Sequence, residues 1–283
     1  MDLPVILLVL LAACMHAAWN ALIKVGEDRL VGMAMMMTVM GLWAPLLLLL
    51  GPPPAVESWP YIVASALLNN AYFLFLIEAY RVGDLSHAYP LSRGSAPLIV
   101  AVGAAVFAGE LLTWTEMVGI ALVSGGIISL MVGAGRPKDG GWRTIVYPLL
   151  TGLMIAVYTV VDGIGVRLSG NPAGYIGWLF ILAPLPLLTI ALAVRRGQFI
   201  GAVRARWRPA ALGGSLSMGA YGLAIWALSL GAMAHVSALR ETSVIIAALI
   251  GTLFLGEPFG RRRVIAAAVV AAGVVVMNLG VAG

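Results

Sequence analysis

The chain has 283 residues, of which 61% are hydrophobic and only 10% are charged, and its formal net charge is +5. A soluble domain carries roughly 25% charged residues, so this composition excludes an ordinary water-facing surface and indicates an all-α integral membrane protein covered by lipid. Cys14 is the only cysteine, which excludes a disulfide framework and a CxxC metal pattern.

Apolar runs of membrane length follow one another along the chain. A bilayer core about 30 Å thick requires roughly 20 helical residues. Ten runs meet this length, at residues 4–24, 31–51, 59–81, 85–108, 114–133, 144–166, 173–194, 209–231, 233–256 and 263–281. The first run is not preceded by the positive segment of a cleaved signal peptide, so we expect it to remain as a helix. The sequence therefore predicts ten transmembrane helices.

Basic residues lie almost entirely in the loops that follow odd-numbered runs. Apart from Arg93 and Arg240 within runs, and Arg167 after the sixth run, every Lys and Arg lies in these odd loops. Cytoplasmic loops are enriched in Lys and Arg. We therefore expect the odd loops in the cytoplasm and both termini in the periplasm, in a bacterial inner membrane. The stretches 195–208 and 261–263 would then anchor cytoplasmic loops near anionic lipid.

The second half of the sequence repeats features of the first. Phe107–Glu110 and Phe254–Glu257 share a Phe-x-Gly-Glu pattern at the end of the fourth run of each half. The predicted repeats cover residues 1–135 and 143–283, with five runs each. Because five is odd, the second copy must cross the membrane in the opposite sense. Such inverted-topology repeats build many secondary transporters, with the substrate site near the midplane between the halves.

Four short motifs carry a resemblance to a known family. They are the two Phe-x-Gly-Glu motifs, each followed by a Gly/Ala-rich last run, and the first-run segments Ala17–Ala21 and Ala156–Thr159. With them the chain resembles the drug/metabolite transporter superfamily, of the ten-helix type with two EamA-like halves, and most of all the bacterial aromatic amino acid exporters. The resemblance implies a secondary transporter that exports amino acids, aromatic or of broad range, or related metabolites by alternating access. Nucleotide-sugar and phosphate-ester carriers share this architecture, so the solute stays open.

Two arginines at membrane depth are the leading candidates for substrate binding. Burying each costs about 2.5–3.5 kcal/mol, so Arg93 and Arg240 should face the bundle interior and approach one central cavity. There they would hold a carboxylate or phosphate; the alternative is a structural ion pair with Glu241 or Glu78. Aromatic and polar side chains at mid-run suit an amphipathic solute, with helix packing as the alternative. The predicted binding set is Trp19, Asn20, Tyr72, Tyr89, Arg93, Tyr158, Trp178, Tyr221, Arg240 and Ser243.

Other polar residues within the runs are candidates for proton coupling or for helix capping. The proton-coupling candidates are His87, His235, Glu78, Glu241 and Asp162. The alternative for the histidines is a capping role near run ends. Glu110 and Glu257 close their runs, and we expect them to accept backbone N–H groups at the start of the next helix. His16 shares one helix face with Trp19 and Asn20.

The sequence holds no GxSxG, P-loop or HExxH motif, so we do not expect an enzyme. No cofactor or metal is predicted, since the methionine-rich segment Met33–Met37 has no second ligand cluster. The expected partners are a small-molecule substrate, an amino acid by the resemblance, and the lipid bilayer. Nucleic acid is not expected, and a monomer is compatible with these features. The rival hypotheses are a membrane enzyme acting on lipids and a passive channel.

Overall fold

A computed structural model describes residues 1–23, 29–83, 85–131, 141–255 and 260–279. Within these residues the chain is almost entirely helical and contains no strand. Short 3-10 turns lie at Val56–Ser58 and Ser129–Met131. The helices are α1 Leu3–Ile23, α2 Arg29–Leu48, α3 Trp59–Val82, α4 Leu85–Ala108, α5 Trp114–Ile128, α6 Arg143–Leu168, α7 Pro172–Leu182, α8 Pro184–Val194, α9 Arg196–Leu230, α10 Met233–Arg240, α11 Thr242–Leu255 and α12 Arg261–Leu279.

Over the described residues, each predicted apolar run lies largely on helix, which confirms the all-α membrane fold. Among the described residues, nine helical segments are long and apolar enough to cross a bilayer. The ninth predicted run lies instead on two shorter helices, α10 and α11, which are separated at Glu241. Buried charged residues lie at this break, which positions the candidate site.

Two element boundaries differ from the sequence prediction. The seventh run is divided into α7 and α8 at Ala183, because Pro184 has no amide hydrogen with which to continue the helix. The stretch 195–208, expected as a loop, is helical from Arg196, and α9 bends at Arg206 with φ −127° and ψ 17°. Arginine and alanine are strong helix formers, so positive charge did not prevent helix formation there.

The two halves of the chain pack against each other in a reciprocal way. In the first half, α1 packs on α9 and α11 of the second half. In the second half, α6 packs on α3 and α4 of the first. Counted by apolar runs, the first run of each half thus contacts the third and fourth runs of the other half. The last helices, α5 and α12, pack on each other. Each half thus contributes equivalent helices to the contact between the halves.

Side-chain burial divides the bundle into an apolar outside and a partly polar inside. Leucines such as Leu7, Leu42 and Leu185 are exposed, as expected for a surface in contact with acyl chains. Charged residues of α4, α6, α10 and the break after α10 are buried in the interior. The connections 49–58, 109–113, 169–171 and 231–232 follow the even-numbered runs. An ion pair and hydrogen bonds join them at one end of the bundle, which we call the even side.

Candidate functional site

An ion pair lies at the break between α10 and α11. Arg93 of α4 places its Nε 2.8 Å from Oε2 of Glu241, and both side chains are almost completely buried. The Arg93 Nη2 also donates to the Ser243 hydroxyl at 3.3 Å, on the first turn of α11. A buried ion pair is maintained only if its geometry and extra hydrogen bonds offset desolvation. The ion pair with Glu241 that the sequence left open as an alternative is thus present at Arg93.

The break itself is a tight turn. The Glu241 amide donates to the Ala238 carbonyl at 3.1 Å, and the Val244 amide donates to the Glu241 carbonyl at 3.0 Å. The Thr242 hydroxyl donates to the Leu239 carbonyl at 2.8 Å. These shorter-range bonds replace the α-helical ladder over a few residues, as 3-10 turns do at functional hinges.

Arg240 is the second arginine of this centre and has a different environment. Its side chain is 9% exposed. Within the described residues its guanidinium makes no hydrogen bond and no salt bridge. It interacts electrostatically with His16, Tyr72, Asp162 and Glu241, which come from four different elements. Arg240 therefore leaves a set of donors available at the centre of the bundle.

The α1 face predicted from helical spacing lies beside these arginines. His16 interacts electrostatically with both Arg93 and Arg240. Its Nδ1 accepts a hydrogen bond from the Trp19 indole at 3.2 Å, and its carbonyl accepts one from the Asn20 amide at 2.8 Å. Trp19 and Asn20 are thus held by His16, and the imidazole is the member of this face that interacts electrostatically with the two arginines.

Tyrosines form an aromatic wall along the same centre. Tyr72 and Tyr158 meet edge to face at 5.9 Å between ring centroids, and Tyr158 meets Tyr221 in the same way at 5.7 Å. Tyr221 in turn lies against Phe180 at 5.7 Å. These spacings lie in the range of favourable aromatic pairs. Tyr72 also interacts with both arginines, so the wall begins at the charged centre.

Tyr89 lies on α4 one turn before Arg93. It interacts with Arg93 and Glu241 and lies next to the Ser243 hydroxyl. Two predicted binding residues, Tyr89 and Ser243, therefore belong to the ion pair's surroundings. The structure thus brings most of the predicted set to one place.

Trp178 is the predicted binding residue that lies elsewhere. Its ring contacts Trp59, the first residue of α3, at 5.0 Å. Trp59 directly follows the even-side connection 49–58. Trp178 is therefore part of the packing at that end of the bundle, a position that its place in the middle of an apolar run did not reveal.

The proton-coupling candidates are distributed over both ends and the centre. Glu78 is bound by Arg81 at 2.8 Å within α3, where both side chains are partly exposed. His235 lies 3.2 Å from Glu116, at the start of α5 on the even side. His87 is buried near the start of α4 with its Nδ1 unpaired among the described residues. Glu241 is the partner of Arg93.

A polar network centred on Asp162 is the part of the interior that the binding prediction missed. The Asp162 carboxylate is fully buried on α6 and accepts hydrogen bonds from Tyr175 at 3.0 Å and from Tyr221 at 2.5 Å. Tyr221 also accepts from the Asn69 amide at 2.7 Å. The one signal in the sequence was an aspartate inside an apolar run; its partners come from α3, α7 and α9 and share no spacing.

A second network ties the halves together on the even side. Arg167 at the end of α6 forms an ion pair with Glu110 at 2.6 Å and donates to the carbonyls of Leu228 and Gly231 at the end of α9. Glu110 accepts from the Met233 amide, the first residue of α10, at 2.8 Å. The cation thus lies at a helix C-terminus and the anion at a helix N-terminus, as the helix dipole favours.

This network explains two features of the sequence. Glu110 does accept a backbone N–H at a helix start, but that helix is α10 rather than the next one along the chain. Arg167 is the single exception to the odd-loop pattern of basic residues, and it is the residue that Glu110 neutralises. The equivalent prediction for Glu257 lies outside the described residues.

Two packed helical halves around a buried charged centre, with nine described segments long enough to cross a bilayer, define a multi-pass membrane protein. A sequence profile described as the EamA-like transporter family matches residues 3–132 and again residues 142–279. The chain therefore belongs to the EamA-like transporter family, and it is a transporter rather than an enzyme.

Comparison with individual proteins adds a relative and a fold match. The nicotine metabolites export pump subunit NepA of Paenarthrobacter nicotinovorans is 34% identical over 74 residues, which are 26% of this chain and 64% of that subunit. The chain thus spans less than two thirds of this relative's length. A solved crystal structure that is 16% identical superposes with a TM-score of 0.75 over 99% of this chain and 98% of that chain. It shows the same fold.

Proposed function

We propose that this protein is a secondary transporter that exports amino acids or related small metabolites across the bacterial inner membrane by alternating access. The observation that carries the proposal is Arg240. It is a nearly buried cation without a hydrogen bond or salt bridge among the described residues. A buried charge without a partner is unfavourable, so an anionic group on a bound solute is its natural counterpart. Similarity to a subunit of a metabolite export pump supports the direction.

The surroundings of Arg240 suit an amphipathic anion. In the proposed site Arg240 receives a carboxylate, while Tyr72 and Tyr158 contact the apolar body of the solute. His16, to which Trp19 and Asn20 are hydrogen-bonded, is a further member of the proposed site. Tyr89, Tyr221 and Ser243 complete the binding set together with the paired Arg93. An amino acid combines such a carboxylate with a side chain that aromatic rings can contact.

Alternating access requires two bodies that can move against each other around this centre. The reciprocal packing of the halves supports two five-helix repeats of inverted topology, for which rocking of one half against the other is the usual motion. The even-side network of Glu110 and Arg167 joins the two halves at one end. We propose that it closes the even side in this conformation.

Transport assays on purified protein in liposomes test the proposal. Counterflow of radiolabelled phenylalanine, which saturates with external phenylalanine, is the expected result. Nucleotide sugars and phosphate esters are tested in parallel, and saturable counterflow of one of these would replace amino acids by that solute class. Absence of counterflow for all three classes, or an ohmic single-channel current, would overturn the proposal.

Reporter fusions test the proposed orientation. Fusions after Arg136 and after Arg204 are expected to report the cytoplasm, and a fusion after Gly283 the periplasm, because the basic loops should remain inside. The proposed inverted topology is wrong if the first two fusions report different faces of the membrane.

A further inference from the structure

The imidazole of His16 has one nitrogen that is bonded and one that is not. Its Nδ1 accepts a hydrogen bond from the Trp19 indole at 3.2 Å, and the two rings meet edge to face at 5.0 Å between centroids. Its Nε2 has no hydrogen-bond partner within the described chain. The predicted binding set includes Trp19 and Asn20 of this helix face but not His16, so the free nitrogen has no assigned role.

The accessible part of His16 lies on the interior side of α1. The lipid-facing side of this helix carries exposed residues that include Leu7, Leu11 and Cys14. His16 is two residues beyond Cys14, about 200° around a helix of 3.6 residues per turn, and therefore lies opposite them. It is half-buried and interacts electrostatically with both arginines of the charged centre. Its free nitrogen is therefore on the side of the bundle where the proposed solute binds.

The Trp19 indole fixes which nitrogen of His16 carries the proton. An indole N–H can only donate, so the Nδ1 that faces it must be an unprotonated acceptor. A neutral imidazole then carries its proton on Nε2. An imidazolium would instead direct an Nδ1–H at the indole N–H, and it would add a third positive charge beside the two arginines. These contacts fit a neutral imidazole that presents Nε2–H as a donor.

The charged centre has donors without partners, whereas its carboxylates are already bonded. Glu241 is paired with Arg93, and Asp162 accepts from two tyrosine hydroxyls. Arg240 makes no hydrogen bond or salt bridge within the described residues, and the Nε2–H of His16 adds a neutral donor. The complement of these donors is a carboxylate, whose oxygens only accept. A carboxamide would bring N–H groups toward them.

We propose that His16 is a solute-binding residue, whose Nε2–H donates to one oxygen of the carboxylate held by Arg240. The proposal rests on the proposed function and specifies its recognition step. Arg240 supplies the charge, and His16 supplies a neutral donor of fixed direction. Trp19 is a positioning residue that acts through the imidazole. The site accordingly binds phenylalanine in preference to phenylalaninamide.

NMR of the imidazole nitrogens tests the tautomer directly. The chain has three histidines, His16, His87 and His235. Labelling with ¹⁵N-histidine in lipid bilayers therefore gives few signals, which replacement of each histidine by glutamine assigns. Without ligand, His16 is expected to be neutral and protonated on Nε2. Phenylalanine should shift its Nε2 signal, because the N–H gains a carboxylate acceptor. An Nδ1–H tautomer or an imidazolium without ligand, or an unmoved Nε2 signal in protein that binds phenylalanine, would overturn the proposal.

Two replacements of His16 separate the donor from the ring. His16→Gln places an amide N–H near the position of Nε2 and should keep most of the affinity for phenylalanine. His16→Phe keeps a ring without a donor and should weaken binding about tenfold, the loss of one hydrogen bond to a charged group. Ligand-dependent thermal shift measures both. Cys14→Ala, on the lipid-facing side of the same helix, is the matched control and should bind as the wild type does. Equal affinities of the two His16 variants would contradict the donor role.

Replacement of Trp19 tests its positioning role. Trp19→Phe keeps an aromatic ring but removes the indole N–H, so either nitrogen of His16 can carry the proton. A second set of imidazole signals, from the Nδ1–H tautomer, is expected without ligand, and phenylalanine binding should weaken although Arg240 is unchanged. A single Nε2–H tautomer in this variant would show that Trp19 only packs.

Transport assays separate failure of this proposal from failure of the proposed function. Wild-type counterflow of phosphate esters but not of phenylalanine would overturn the assignment of a carboxylate to His16. Absence of counterflow for every solute class would overturn the proposed function itself, a result independent of the tautomer measured without ligand.

Discussion

At the scale of single residues, Arg93 and Arg240 have the same side-chain chemistry but different surroundings. Arg93 is neutralised by Glu241 and fixed by Ser243. Arg240, on the turn before the break, has no such partner among the described residues. A guanidinium cannot lose its proton inside a protein, so we propose that the arginine without a salt bridge binds the anionic group of the solute. Substrate recognition should therefore depend on Arg240, and stability on Arg93.

Replacement of Arg240 tests recognition. Arg240→Gln is expected to weaken phenylalanine binding about tenfold to a hundredfold, the loss of a charge-assisted hydrogen bond of roughly 1.5–3 kcal/mol. Ligand-dependent thermal shift of the purified protein measures the effect. Arg208→Gln, at an exposed position beside Trp207, is the matched control and should bind as the wild type does. Equal binding by both variants would contradict the role of Arg240.

Replacement of the paired residues tests stability. Glu241→Gln leaves the Arg93 charge buried without a counter-charge, and removing one partner of a buried pair costs about 3–5 kcal/mol. The double variant Arg93→Met with Glu241→Gln removes both charges and should lose less than the sum of the two single changes. Unfolding midpoints in detergent give the comparison. Additive losses would show that the two side chains act independently.

At the scale of elements, the contact between α5 and α12 shows how small residues set helix distance. A β-carbon added at Gly119 would lie 2.6 Å from the Met277 backbone nitrogen, and one at Gly273 would lie 2.7 Å from the Gly119 carbonyl oxygen. The two backbones are thus in direct contact, as small residues allow in membrane bundles. The last helices of the two halves are joined by this contact.

Alanine at two glycines of α5 tests this packing. Gly119→Ala has no room for its β-carbon and should destabilise the protein by about 1–3 kcal/mol, the usual cost of overpacking. A β-carbon at Gly125 of the same helix meets no atom within 4 Å. Gly125→Ala is therefore expected to be neutral or slightly stabilising. Thermal unfolding in detergent measures both, and equal losses would contradict the packing argument.

At the scale of the whole molecule, the even-side contacts bring the halves together at one end. Glu110 of the first half is joined to Arg167, and both are attached to the ends of α9 and α10. Asn171 donates to the Pro52 carbonyl at 2.5 Å across the same end. In the proposed alternating-access cycle, opening this side requires these bonds to break. The network should then set the fraction of time for which the site is open to that compartment.

Charge removal at Glu110 tests this closure. Glu110→Gln keeps an oxygen that can accept from the Met233 amide but loses the attraction to Arg167. In a Cys14→Ser background, a cysteine placed at the buried position Ala234 should then react faster with an impermeant maleimide added on the even side. Glu57→Gln, exposed on the same side, should leave the labelling rate unchanged. Equal rates in both variants would contradict a closing role.

The fold class and the positions of most helices could be predicted from the sequence, because each membrane-spanning segment needs enough apolar residues of its own to cross the bilayer. About twenty apolar residues are needed per crossing whatever the neighbours do, so runs such as 59–81 and 85–108 lie on α3 and α4 almost residue for residue. The break at Glu241 and the helical stretch after Arg196 were not readable in this way. Their conformation depends on partners and propensities that an apolar count does not contain.

Hydropathy and the two Phe-x-Gly-Glu motifs were enough to predict a helical membrane transporter built from two similar halves, which the family match confirms. Tertiary packing alone decided that Arg93 pairs with Glu241, that Arg240 stays available and that Asp162 is held by two tyrosines. The reason is physical. Insertion into lipid is a property of each segment separately, whereas the pairing of a buried charge depends on which distant helix is placed beside it.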